Sequence, residues 1–280
     1  MRISKHYAAH RKPGVKWVLV ETFVKPNRLA CLLKTVRRLM ESNRVSVSEL
    51  RNATQESIMS EMKKFEFTKV IQDISDLAWD GMGEADMTRV AWAYYFFSIQ
   101  FRENLLLACE YFCDDQKLQK LKLEECDTSN LSPYPDIAEI GERMDHDEFM
   151  RRALLRLPLP EDVAGELRAL GDQYLREVEE VDTLTRALSI GSYESGGLEA
   201  VFTAMLRAPG IEAPRLAAFK HFLAEHIRFD SDVEAGHGVL SQGMQPDDRI
   251  LPLWQSFKKI LVASAPALQA AVRTGVLSDA

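Results

Sequence analysis

Along most of this chain apolar residues recur three or four positions apart, the spacing of one buried helix face. NRLACLLKTVRRLMES (27–42) carries such a stripe behind an asparagine cap. Ser46 and Glu49 have the form of a capping box, opening a helix that runs past Met62. FTKVIQDISDLAW (67–79) predicts another helix, closed at Gly81-Met82-Gly83. Residues 86–115 are the most apolar stretch and predict a long, nearly buried helix. KLQKLKLEECD (117–127) continues helically into a break at NLSPYP (130–135). Pro135 then predicts a helix over 136–157, stopped by Pro158 and Pro160. Further helical patterns cover 161–181, 185–206 and 213–230, and a last helix is expected over 251–275.

KWVLVETFV (16–24) reads as either a short strand or a helix, and no longer stretch alternates as a strand would. There is no internal repeat, glycine-rich phosphate loop or GxSxG motif. The pattern predicts an all-α protein of seven to nine helices: one helical domain over 61–280 behind a basic helical N-terminal extension, residues 1–60.

Composition changes this picture little. Hydrophobic content of 46% and charged content of 28% are ordinary for a soluble globular chain. The longest apolar run, VAWAYYFFSIQF (90–101), falls short of a membrane span, and the N-terminus lacks an apolar signal core. Cys31, Cys109, Cys113 and Cys126 form no CxxC pair, and Cys109 and Cys113 read as buried thiols on one helix. A reduced, cytoplasmic protein is expected, with no membrane partner. The net charge of −7 hides an asymmetry: residues 1–51 carry twelve Lys/Arg against three Asp/Glu. The basic arm lacks regularly interleaved aromatics, so nucleic-acid binding is not expected. Packing against the acidic body, or forming a homodimer with it, is the better reading.

The candidate chemistry concentrates in AEHIRFDSDVEAGHGV (224–239). His226, Asp230, Glu234 and His237 share one helical face, and imidazoles with carboxylates suit iron, manganese or zinc. In an unbroken helix His226 and His237 would stand about 16 Å apart, too far for one site. Gly236 and Gly238 predict that the helix unwinds or bulges there. Upstream, within the helix expected over 136–157, Glu139 and His146 lie seven apart, again on one helical face. Glu194 sits between Gly191 and Gly196-Gly197, where close helix approach should partly bury it. A buried carboxylate is costly unless it is paired or binds a cation. Glu103, the exception on its apolar helix, is either a paired surface glutamate or an additional metal carboxylate.

This constellation resembles the haem-oxygenase-like dimetal oxidases, the CADD-like branch of the superfamily of the thiaminase TenA and the PQQ-synthesis protein PqqC. That family carries a glutamate seven residues before a histidine, a lone glutamate on a later helix, and then H-x3-D-x2-H. E139-I-G-E-R-M-D-H146 matches the first part, Glu194 the second, and H226-I-R-F-D230 the start of the third. Val233 stands where the final histidine belongs, so His237 or Glu234 would replace it.

The resemblance covers roughly residues 65–265. It implies a haem-oxygenase-like bundle and an O2-dependent non-haem diiron oxidase or oxygenase, with Fe/Mn as a variant. Glu139, His146, Glu194, His226, Asp230 and His237 would be the metal ligands, and a small amino acid or carboxylate in specialised metabolism the substrate. Two other readings stand beside it. A metal-free enzyme on the same fold would need a nucleophile, and Cys109, Cys113 and Tyr193 are the candidates. A non-catalytic helical interaction protein would use the basic arm to dock a partner.

Overall fold

The computed structural model describes residues 65–230, 241 and 244–273. The expected extension over 1–60, Glu234 and His237 with the helix break around them, and Cys31 lie outside the described residues.

The helices are α1 (Glu66–Ser75), α2 (Glu84–Tyr111), α3 (Gln116–Glu125), α4 (His146–Leu154) and α5 (Glu161–Glu179). They continue with α6 (Thr183–Ser192), α7 (Leu198–Met205), α8 (Ala217–Asp230), α9 (Leu251–Ser264) and α10 (Pro266–Arg273). The five residues Tyr193–Gly197 join α6 to α7 with wider π-type turns, and counting that kinked pair as one leaves nine helices among the described residues. No strand occurs among them, so the described chain is all-α. None of these helices is long and apolar enough to cross a membrane.

α2 organises the bundle. Its 28 residues span about 42 Å, and they bury apolar side chains around most of the circumference, from Met87 and Val90 to Phe101 and Leu105. It packs against α3, α4, α5, α6 and α9. Phe97 stacks on Phe257 of α9 at 4.1 Å between ring centres, and Tyr94 sits among Phe202, Phe219, Phe222 and Phe257. Each such side chain contributes about 1.5–3 kcal/mol through burial. Side-chain caps fix two of the flanking helices: Asp115 accepts from the Lys117 and Leu118 amides at the start of α3, and Asp182 from the Thr185 amide at the start of α6.

Three boundaries differ from the sequence pattern. The helix expected over 136–157 begins only at His146. Before it, the chain folds into turns, with short antiparallel bridges between Thr128 and Met144 and between Tyr134 and Ala138. Asp136 (φ 61°) and Gly141 (φ 75°) take left-handed conformations that a continuing α-helix forbids. The final helix is two helices, because Pro266 forces Ala265 into an extended conformation (φ −110°, ψ 117°) before α10 starts. Finally, α2 ends at Tyr111, which leaves Cys113 beyond the helix and exposed rather than buried beside Cys109.

Candidate metal centre

Three buried side chains from three helices converge beside the aromatic core. Glu125 is the last residue of α3, His146 the first of α4, and His226 lies in the last turns of α8. They are 4%, 5% and 6% exposed respectively, burial that ionisable side chains reach only when partnered. His146 Nδ1 lies 2.7 Å from Glu125 Oε2 and 2.9 Å from His226 Nε2, and the remaining side of the triangle is 4.0 Å.

The outer hydrogen bonds of the two imidazoles determine what faces inward. His226 Nδ1 lies 2.8 Å from the Phe222 carbonyl, which only accepts, so Nδ1 carries the proton. His146 Nε2 lies 2.9 Å from Asn130 Oδ1. The Asn130 amide is oriented by its own Nδ2, which donates to the Glu124 carbonyl at 2.8 Å, so His146 Nε2 is also the protonated nitrogen. In neutral imidazoles, His146 Nδ1 and His226 Nε2 are then both lone-pair atoms: His226 Nε2 points at His146 Nδ1, which also faces a Glu125 oxygen. Acceptors at 2.7–2.9 Å repel unless something positive lies among them. One proton bridges one such contact, whereas one cation serves all three.

The donor set fits a transition metal. Two atoms about 2.1 Å from one cation stand roughly 3–3.5 Å apart, and the observed sides of the triangle bracket that value. A histidine whose distal nitrogen donates to a carbonyl is the usual support of a metal ligand, since it fixes both ring and tautomer.

The cluster borders a small pocket of about 20 Å³, room for about one water, whose wall also includes Glu194, Tyr94, Phe101, Arg102, Asp147 and Phe222. Glu194 is 4% exposed, as its glycine-flanked setting predicts. It enters the pocket from the Tyr193–Gly197 segment, where Ser195 (ψ 33°) and Gly196 (φ 94°) break the α-helical geometry. Gly196 accommodates that left-handed turn at no steric cost. Wider turns of this kind inside helices frequently mark functional sites.

Glu139 does not join this cluster. It is exposed, and its amide donates to Glu142 Oε2 at 2.9 Å within the turn that replaces the expected helix. With that segment non-helical, the seven-residue spacing to His146 no longer places the two on one face. Glu125 stands beside His146 instead, and the sequence reading missed it. The signal was present: Leu118, Leu121 and Glu125 form the buried stripe of α3, which aims the glutamate inward.

Asp230 is the last residue of α8, one turn beyond His226, and its side chain, like His237, lies outside the described residues. Glu103 is away from the pocket, 43% exposed and paired with Arg186 at 3.0 Å. Its paired reading is therefore the one observed.

Two of the three candidate nucleophiles of a metal-free enzyme are buried, while Cys113 is exposed. Burial pushes the Tyr193 hydroxyl up to about 12, despite its hydrogen bonds with Gln100 and Ser189. Burial also raises the Cys109 thiol. No family model, curated protein or solved structure matches this chain.

Proposed function

We propose that this chain is a metal-dependent oxidase in which Glu125, His146, His226 and Glu194 hold iron that activates O2 against a small organic substrate, an amino acid or carboxylate. The observation that carries the reading is the inward convergence of two lone-pair imidazole nitrogens and a carboxylate oxygen in a buried pocket. The resemblance to the dimetal oxidases supports it through His146, Glu194 and His226, with Glu125 taking the place assigned to Glu139. In its two-iron form the reading adds Asp230 and His237.

Bound iron would supply the electrons for O2 reduction and open coordination positions for O2 and substrate. The chain's own residues do the rest. The Phe222 and Asn130 oxygens hold protons on the outer imidazole nitrogens and so keep the inner lone pairs aimed at the metal. Tyr94, Phe101, Leu198 and Phe222 form an apolar wall that limits water around the reacting groups.

The test is anaerobic loading of the full chain with Fe(II), metal content by mass spectrometry, then exposure to O2. The expected result is about two irons per chain and O2 uptake that needs them. A chain that retains no iron, or a His226→Ala variant that retains as much as the parent, removes the reading.

A further inference from the structure

Beside the metal cluster, the pocket wall carries two charged side chains whose polar atoms are incompletely used. Arg102 donates from Nη1 to Asp145 Oδ2 at 3.0 Å and lies 3.4 Å from Asp147 Oδ2 through the same nitrogen. Its Nε is buried and has no hydrogen-bond partner. Asp147 is 8% exposed. Its Oδ1 is buried and has no hydrogen-bond partner, and the amides of Asp147 and Glu148 only partly offset the burial that raises the pKa of this carboxyl. Both residues line the pocket. Leaving a buried carboxylate oxygen short of a partner costs roughly 1–3 kcal/mol, and with the enclosed Arg102 Nε beside it, Asp147 marks a place built for a ligand.

The chemistry of the wall selects the ligand. Arg102 brings one positive charge, and Asp145 and Asp147 bring two negative ones, so the wall has an excess negative charge after its own pairing. Asp147 Oδ1 needs a hydrogen-bond donor, and a cationic donor also balances that charge. Arg102 Nε–H needs an acceptor close by, because the same ion pair holds the two residues together. We propose that the Arg102–Asp147 wall is the substrate-recognition subsite and takes a protonated amine bearing a hydrogen-bond acceptor on the neighbouring carbon. The ammonium sits on Asp147 Oδ1 and the acceptor on Arg102 Nε, and the carbon chain leaves toward solvent past Arg102, whose side chain is 37% exposed. This rests on reading the pocket as a substrate site beside a metal. Asp147 is then a specificity-determining residue that leaves the metal ligands untouched.

The test compares 2-aminobutan-1-ol with butane-1,2-diol, which differ only in the amine, by ligand-observed NMR on the full chain with Zn(II) filling the cluster. The amino alcohol is expected to bind at least tenfold more tightly than the diol. Asp147→Asn should remove that preference while metal content and helix content stay at the parent level. Equal affinity of the two probes for the parent protein overturns the proposal whether or not any variant folds. So does a preference that survives Asp147→Asn but disappears in Glu125→Gln, since the amine would then be sitting in the metal cluster. Metal content is measured independently. A chain that selects the amine yet binds no metal refutes the oxidase reading alone, and one that binds metal but shows no amine preference refutes this subsite alone.

Discussion

Two buried polar clusters flank α2, and they are built on opposite plans. In one, every donor meets an acceptor. Tyr174 donates to Gln100 Oε1 at 2.5 Å, Gln100 Nε2 donates to the Tyr193 hydroxyl at 3.2 Å, and Asn104 Nδ2 donates to Ser189 Oγ at 3.0 Å. Arg186 completes the chain through Asn104 Oδ1 and Glu103. In the other, Glu125, His146 and His226 turn acceptors toward one another. Apart from Glu103 the residues of both clusters are buried, so burial does not distinguish them; the sign of the atoms that meet does. A closed donor–acceptor chain rigidifies a core and asks for nothing more. A convergence of acceptors holds its place through what it binds.

The sharpest way to break this contrast is His226→Ala. Removing one of three converging donors is expected to weaken Fe(II) or Zn(II) binding by at least about a hundredfold, more than the 10–100-fold loss usual for outer-layer partners. Far-UV dichroism should be unchanged. Unaltered affinity in a competition titration would mean that the metal lies elsewhere. Next is Asn130→Ala, which touches no metal. It deletes the oxygen that fixes the His146 tautomer, and about a 10–100-fold loss of metal affinity is expected. A loss of folding stability without a loss of affinity would make Asn130 a loop anchor only. In the closed cluster, Tyr174→Phe should cost about 1–3 kcal/mol in urea unfolding, because it strands the buried Gln100 carbonyl. Metal affinity should not move. If it did, the two clusters would be one coupled network, and the contrast would fail.

How much of this could be read from residues alone follows the same division between pattern and pairing. The helices were legible wherever an apolar stripe continued, as in α1 and α5, because burial enforces the period. The turns before α4 were not, since a left-handed Asp136 has no apolar signature and Gly141 passed for a residue inside a helix. Within the site, Glu194 was legible as a carboxylate in a small-residue, apolar setting, His226 as one of a row of ligand-type residues on one helical face, and His146 through the motif it shares with the dimetal oxidases. Glu125 was not selected, although it continues the Leu118–Leu121 stripe, because charged residues at helix ends are ordinarily solvated. Spacing in the sequence favoured Glu139, but spacing places two residues on one face only if the segment between them is helical. The Arg102–Asp147 wall was invisible for a different reason: its character lies in which atoms are left over, and that is a property of the assembled structure.

The smallest predicted effect is the most discriminating, because its sign differs between the two clusters. Glu125→Gln replaces an acceptor with an amide whose Nε2 donates toward His146 Nδ1, at the position where the carboxylate now lies 2.7 Å away. In the metal-free protein that change turns a repulsive contact into a hydrogen bond and removes a buried charge. It is expected to raise unfolding stability by about 1 kcal/mol while weakening metal binding. Gln100→Glu makes the complementary change in the closed cluster. It replaces the amide nitrogen that donates to Tyr193 with a carboxylate oxygen and buries an added charge, so it should destabilise the protein. Urea unfolding of both variants under chelator reads the two signs directly. If Glu125→Gln also destabilised the metal-free chain, the convergence would already be balanced by a proton, and the acceptor geometry would no longer argue for a cation. Opposite signs from nearly isosteric substitutions would identify the Glu125 cluster as a site whose stability was given up for binding.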